Sequence, residues 1–190
     1  MRLPLVPPEQ LTDEQQPLYD RNRRQMDASF TSFTTVDSGG ALLGPWGVFL
    51  HEPTVGQANY DLVDAITGLG RLPVPLQQVA ILAVGARYKA AYEMYAHAAV
   101  AASHGLDERK IAALCAGVRP ADLTTEEASA FDVTSALLDG GVLPEPTYRA
   151  ARDLLGQPAL NELVFWIAHY TSISITLNAF DVTIPSNEHS

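Results

Sequence analysis

Glu93 and His97 are the two residues whose types and spacing best suit chemistry. They are four positions apart, so on a helix their side chains share one face, one turn apart. A carboxylate beside an imidazole favours the imidazolium and orients the ring, which suits a general acid or base near neutral pH. The alternative is a helix-surface pair that contributes roughly a few tenths of a kcal/mol, and spacing alone leaves both interpretations open.

Further side chains could complete a binding site around this pair, and each has a structural alternative. Arg87 could bind a substrate carboxylate, or it could lie exposed near the C-terminal carbonyls of its helix. Aromatic and histidine side chains elsewhere could contact a substrate, or could serve packing and subunit contacts; they are Tyr92, Tyr95, Trp46, His51 and His169. The sequence does not choose between these roles.

His104 lies seven residues after His97 and roughly on the same helix face, but we expect no metal site there. At 1.5 Å per residue the two histidines are roughly 10 Å apart along the axis, so they cannot share one ion with Glu93. His104 directly precedes Gly105, and a histidine in that place interacts favourably with the C-terminus of a helix. We therefore interpret His104 as a helix cap.

Cys115 is the only cysteine of the sequence, which excludes a disulfide within the chain and a multi-cysteine metal site. It stands in the apolar stretch 111–116. A cysteine in such surroundings is more typical of a small buried hydrophobic residue than of a nucleophile.

The composition is that of a soluble globular protein with one core. The 190 residues are 47% hydrophobic and 18% charged, and 190 residues suffice for one domain. The formal net charge of −10 argues against binding to nucleic acid or to an anionic membrane surface. No apolar run reaches the roughly 18–20 residues of a membrane span, and no signal-peptide pattern is visible, so we expect a cytoplasmic protein.

Helical signals dominate the chain and predict a single all-α domain. We expect helices at about 12–25, 53–68, 76–87, 91–104, 107–116, 125–139, 146–155 and 159–181, with a long loop at 29–41. Three capping boxes mark helix starts: Thr12 with Gln15, Thr54 with Gln57, and Thr124 with Glu127. Residues 1–40 are expected to form an N-terminal arm, helix and loop, and residues 41–185 the main helical domain.

Several segments together resemble the carboxymuconolactone decarboxylase-like family. Glu93 and His97, followed by Ala101 and Gly105-Leu106, are similar to its pattern E-W-x-x-H-x-x-x-A-x-x-x-G-L, with Met94 in place of the tryptophan. Three flanking segments also resemble family segments, and these are 44–53, 72–82 and 170–180. The resemblance covers about residues 40–185, and it rests on the order and spacing of the segments together.

The resemblance implies an alkylhydroperoxidase D-like helical bundle that assembles into homo-oligomers, such as dimers, trimers or hexamers. Peroxidase members of this superfamily carry a C-x-x-C pair that would fall on Ala90 and Glu93, and a relay glutamate that would fall near Gln78. Neither sulfur is present, so a disulfide-based peroxide reductase is disfavoured. What remains resembles the decarboxylase branch, whose chemistry needs no metal and no organic cofactor.

The leading hypothesis is therefore a cofactor-free lyase or isomerase that acts on a small lactone or enol-acid. In it, imidazolium His97 donates a proton, while Glu93 keeps the ring charged and oriented. The alternative is a non-catalytic small-molecule-binding or accessory protein on the same fold, which the departures at Met94 and Gln78 favour. A residual peroxide reductase is the third and least favoured hypothesis.

Overall fold

The computed structural model describes residues 1–185, and within them the chain is a single all-α domain. A short 3₁₀ turn at Pro8–Gln10 precedes the α-helices. In chain order these are α1 Gln16–Ser29, α2 Gly44–Phe49, α3 Pro53–Thr67, α4 Val74–Tyr88, α5 Ala91–Ser103, α6 Glu108–Cys115, α7 Thr125–Leu138, α8 Glu145–Leu155 and α9 Gln157–Ala179. The β pairing in the described part is one isolated bridge, between Val36 and Leu42 in the loop after α1. The all-α prediction is confirmed.

Local side-chain hydrogen bonds form at two of the three predicted capping boxes. Thr12 and Gln15 exchange backbone-to-side-chain hydrogen bonds of 3.0 and 3.3 Å, and they close a turn directly ahead of α1. Thr124 and Glu127 form the same reciprocal box at the start of α7. At the other end of α5, Nδ1 of His104 lies 2.9 Å from the Val100 carbonyl, as expected for a cap.

The capping box predicted at Thr54 is wrong. Helix α3 begins at Pro53, and the residue ahead of it, Glu52, makes no side-chain cap. Thr54 therefore lies inside the first turn, and Gln57 donates to Asp61 one turn further on. Proline is well tolerated in the first turn of a helix, and here the N-cap is Glu52, two residues before the threonine that the pattern indicated.

The hydrophobic core has two clusters that are joined by α5 and α9. The first surrounds the central helix α4, which packs against α5, α7 and α9 and is buried on several sides. The second lies under α1, α2 and the N-terminal arm. Helix α5 contributes Tyr92 and Ala96 to the second cluster and Ala101 to the first; α9 contributes Ile173 to the second and Ile167 to the first. The segments of α5 and α9 between these residues lie where the clusters meet.

The N-terminal arm is hydrogen-bonded to the end of α9 and packs against the second cluster. The Arg2 amide donates to the Phe180 carbonyl at 2.7 Å, and its guanidinium donates to the Ala179 carbonyl at 2.9 Å. Leu3 and Val6 pack against the second cluster. Among residues 1–185, no helix combines the length and apolar composition that crossing a bilayer requires.

Candidate active site

Helix α5 points the side chains of Glu93 and His97 into the interior. The Glu93 side chain is 4% exposed and that of His97 is 16% exposed, and Nε2 of the ring lies 3.5 Å from Oε2 of the carboxyl group. Gly85 on α4 lets the helices approach, since a Cβ there would lie 3.5 Å from Cβ of Glu93 and 3.3 Å from Cγ of Met94. The pair is therefore interior, which excludes the helix-surface interpretation.

Gln78 on α4 holds the histidine ring from its other side. Its Oε1 lies 2.9 Å from Nδ1 of His97, and the glutamine is itself buried. A carbonyl oxygen only accepts, so Nδ1 carries the hydrogen and Nε2 presents its lone pair toward Glu93. The resemblance had drawn attention to position 78 as a missing relay acid; in the structure its amide orients the imidazole.

Burial works against the charged pair that the sequence led us to expect. It raises the pKa of the Glu93 carboxyl from 4.5 to about 8. Burial, followed by repulsion from a protonated His169, lowers the pKa of His97 from 6.5 to about 3. Transfer from water penalises the ionised form of each group, and nothing charged compensates it here. Near pH 7 the favoured state is a neutral carboxylic acid facing a neutral imidazole, so the expectation of a resident imidazolium is wrong.

Glu93 and His97 open onto a cavity of about 80 Å³. That volume exceeds the roughly 10–15 Å³ that one water molecule requires. The lining is largely aromatic and aliphatic: Gln25, Phe30, Phe33, Pro45, Trp46, Asn59, Tyr60, Val63, Tyr92, Glu93, Ala96, His97, Val100, His169, Tyr170 and Ile173. Among these described lining residues there is no lysine or arginine, so the cavity suits a small uncharged molecule.

Arg21 is a cation that lies close to the cavity wall. Its guanidinium carbon lies 6.0 Å from the centre of the Tyr60 ring, but Arg21 does not line the cavity. Its two terminal nitrogens bind Asp61 at 2.7 Å and Asp64 at 2.6 Å, and both carboxylates are exposed. Its charge is thus directed to the surface of α3.

Tyr92 and Tyr95 hold the loop after α1 against the cavity. The Tyr92 hydroxyl donates to the Thr34 carbonyl at 3.1 Å, and the Tyr95 hydroxyl accepts from the Thr34 amide at 3.0 Å. Tyr92 and Trp46 pack edge to face, with ring centres 6.5 Å apart, and both line the cavity, whereas Tyr95 does not. Both tyrosine hydroxyls are thus engaged with backbone.

The remaining predicted site residues divide between the cavity and other surfaces. His169 lines the cavity, and the neighbouring Tyr170 ring stands edge-on to His97 with centres 4.7 Å apart. His51 contacts the Pro4 carbonyl of the N-terminal arm at 3.0 Å and does not line the cavity. Arg87 is exposed beside a separate surface hollow formed by α4, α6 and α7. The structure therefore does not bring Arg87 or His51 to the pair.

Most of the cavity wall comes from residues that were not among the predicted site residues. Among them, Phe30 and Phe33 belong to the loop after α1, and Asn59 and Tyr60 belong to α3. No local pattern marks them, because they become neighbours only when distant helices pack. Cys115 is half-buried beside the first cluster and does not line the cavity. Within residues 1–185, no group of three or more histidine, cysteine, aspartate or glutamate side chains could hold a metal ion.

Comparison with known proteins shows a likeness in fold. No family model and no curated protein matches this sequence. The chain is similar to the crystal structure of a cysteine-to-alanine variant of the debrominase Bmp8 in complex with 2,3,4-tribromopyrrole, with a TM-score of 0.68 at 18% identity. The match covers 97% of this chain and 93% of that one. At this identity, the likeness shows that the two chains share a related all-α fold.

Proposed function

We propose that this chain is an enzyme that isomerises a small, uncharged cyclic compound by proton transfer, with Glu93 and His97 as its acid and base. The observation that carries the proposal is the buried Glu93–His97 pair, held by Gln78, at the wall of an aromatic cavity. A desolvated carboxyl group whose pKa is near 8 is a suitable proton donor close to neutral pH. No cofactor is invoked.

The uncharged pair can complete a cycle without exchanging protons with solvent. His97 accepts a proton at Nε2 from one atom of the substrate, and Glu93 donates its proton to another atom. The substrate leaves with the same composition and a shifted double bond. The proton on His97 then returns to Glu93, whose Oε2 is 3.5 Å away, and the pair is again neutral.

The decarboxylase form of the hypothesis has weaker support than the isomerase form. A lactone acid or enol-acid enters as a carboxylate, and a carboxylate in an apolar cavity requires a paired charge or strong donors. Arg87, the residue expected to bind it, lies elsewhere, and the described lining offers no other cation. We therefore restrict the proposed substrates to neutral rings.

The likeness to the debrominase is consistent with a ring-binding cavity. The ligand in that structure is a flat heteroaromatic ring, and the cavity described above is similarly suited to one. We do not propose thiol-dependent dehalogenation or peroxide reduction, because Cys115 is not part of the cavity wall. Family membership and assembly into a homo-oligomer, which the resemblance implies, are part of the proposal.

The test is turnover of a panel of β,γ-unsaturated cyclic ketones, whose conversion to conjugated isomers is followed by absorbance. We expect the wild type to accelerate isomerisation, and Glu93→Gln to lower kcat/KM by about 10²- to 10⁴-fold, which is the usual contribution of a general acid–base group. Glu126→Gln, at an exposed position on α7, is the matched control. Unchanged turnover in Glu93→Gln would contradict the assignment.

Two other outcomes identify the competing classes. Tight binding of panel members with no turnover by the wild type indicates the non-catalytic binding protein. Release of CO₂ from carboxylactones, tested in parallel, indicates the decarboxylase and contradicts the restriction to neutral substrates.

A further inference from the structure

Tyr60 on α3 presents a buried hydroxyl group that the fold does not use. The residue is 6% exposed, it lines the cavity, and its hydroxyl oxygen has no hydrogen-bond partner among the described residues. A buried polar group without a partner costs free energy, so native structures rarely keep one without a purpose. Phenylalanine would keep the apolar contacts of this ring and remove the cost.

The Tyr60 ring is fixed by its surroundings, so its hydroxyl has a defined position. Phe49 packs against it edge to face, with ring centres 6.1 Å apart, and the Arg21 guanidinium lies over it. One turn earlier, Gly56 brings α3 close to α2, since a Cβ there would lie 2.9 Å from that of Phe49. The ring is held by packing, and the hydroxyl contributes no bond to that packing.

Two buried polar atoms of the cavity wall lack partners, and they come from different helices. One is the Tyr60 hydroxyl on α3, and the other is Oε2 of Glu93 on α5. Asn22 and Ser174 also carry buried side-chain atoms without partners, but neither lines the cavity. The cavity thus offers a bound molecule a second polar contact, separate from the reacting pair.

We propose that Tyr60 binds the oxygen atom of the substrate, and that the substrate class is a β,γ-unsaturated cyclic ketone, which the reaction converts to its conjugated isomer. This inference rests on the proposed function. His97 takes a proton from the carbon next to the carbonyl group, and the electron pair moves onto the oxygen, where the Tyr60 hydroxyl donates a hydrogen bond. Glu93 protonates the far carbon of the conjugated system, the electrons return, and the carbonyl group is restored with the double bond moved.

The chemistry of Tyr60 matches this role. Burial raises the pKa of its hydroxyl well above the usual value, so the group stays protonated and donates to the oxygen without giving up its proton. A donor already in place where negative charge develops stabilises the transition state more than the ground state. Tyr60 therefore acts on the reaction as well as on binding.

The decisive experiment compares the binding of phenol, toluene and benzoate by calorimetry, because these probes share one ring and differ in the oxygen group. We expect the wild type to bind phenol about five- to tenfold more tightly than toluene, which is the net effect of one hydrogen bond, and to bind benzoate weakly. Tyr60→Phe should bind phenol and toluene equally. Tyr148→Phe, which loses a hydroxyl bonded to Gln157 and does not line the cavity, should keep the preference.

The outcomes separate this inference from the proposed function. Binding preferences need no turnover, so they can support Tyr60 even if the Glu93 variants show no catalytic defect. If Tyr60→Phe retains the phenol preference, or if benzoate binds most tightly, the inference is overturned. A fall in the melting temperature of Tyr60→Phe would also oppose it, since a hydroxyl reserved for a ligand should add nothing to the stability of the free protein.

In turnover, Tyr60→Phe should lower kcat more than it raises KM, because the bond to oxygen strengthens as charge develops there. An increase in KM alone would assign Tyr60 to ground-state binding and would contradict its part in the reaction.

Discussion

The burial of Glu93 has a consequence for stability that can be measured without a substrate. Its carboxyl group ionises with a pKa of about 8 in the folded chain and near 4.5 when unfolded. Between these values the folded state binds more protons than the unfolded state, so the free energy of unfolding falls as pH rises. His97 and His169 act in the opposite direction, but only below pH 6.5, because their folded pKa values are about 3 and about 4.

We therefore predict that stability decreases between pH 6.5 and 8, by at most about 2 kcal/mol for this one group. Urea denaturation of the wild type and of Glu93→Gln measures it: the glutamine variant should lose this decrease and be the more stable protein at pH 8. Glu126→Gln, at an exposed position, should retain the decrease. Parallel pH profiles for all three proteins would show that Glu93 is ionised throughout this range.

At the scale of single residues, the sequence predicted the helix face of the reacting pair but neither its protonation state nor the role of Tyr60. The spacing of Glu93 and His97 correctly placed both on one helix face, because helical periodicity is a local property. The protonation state was not predictable, because it depends on how thoroughly α1, α3 and α9 exclude water from that face. The Tyr60 hydroxyl gave no signal for the same reason: its lack of a partner is visible only once its surroundings are known.

Helix α2 and the loop before it owe their position to one glycine. Gly44 has φ +61°, in the left-handed region, and a Cβ built there would collide with the ring of Tyr92. Glycine thus permits both the turn and the contact with a ring that lines the cavity. The sequence singled out residues 44–53 only through their resemblance to a family segment, whereas the reason for the glycine is tertiary.

We predict that Gly44→Ala destabilises the protein by about 2–4 kcal/mol, combining the left-handed backbone penalty with overpacking against Tyr92. Gly70→Ala is the matched control, since Gly70 has φ +58° and open space around its Cα, and it should cost only about 1–2 kcal/mol. Chemical denaturation of the two variants measures the difference. Equal losses would mean that the Tyr92 ring moves aside and does not fix this helix.

The observed helix boundaries show which sequence patterns predict helix starts reliably. Thr124 caps α7 as predicted, whereas Thr12 closes a turn ahead of α1, which begins at Gln16; each contact joins residues three apart. The box at Thr54 fails because Pro53 starts the helix earlier. The long loop at 29–41 was recognised from its composition, but its contribution of Phe30 and Phe33 to the cavity depends on its bonds to Tyr92 and Tyr95.

The whole molecule places its polar site where two hydrophobic clusters meet. His97 on α5, and His169 and Tyr170 on α9, lie between residues of the first cluster and residues of the second, and Glu93 lies one turn before His97, beside Tyr92 of the second cluster. Each cluster can then pack with apolar side chains, and the buried polar groups lie at their boundary. The hydrophobic pattern of the sequence predicted the all-α class. The position of the site at the boundary of the clusters depends on which helices pack against α4 and which lie under the N-terminal arm.

The arm therefore matters for the cavity as well as for the end of the chain. Leu3 and Val6 are partly buried against the second cluster, which also contains Trp46 of the cavity wall. Replacing both by serine should destabilise this half of the molecule by about 2 kcal/mol, less than the cost of exposing two fully buried side chains. We expect faster amide exchange in α2 than in the wild type, with α7 in the first cluster unchanged, because local openings follow local packing.

Hydrogen exchange monitored by mass spectrometry measures this, with Val142→Ser as the control because that side chain is 94% exposed. The control should change neither helix. If the double serine variant accelerates exchange in α2 and α7 equally, the two clusters unfold as one unit. The aromatic wall of the cavity would then be exposed only when the whole chain unfolds, because the arm would not open separately.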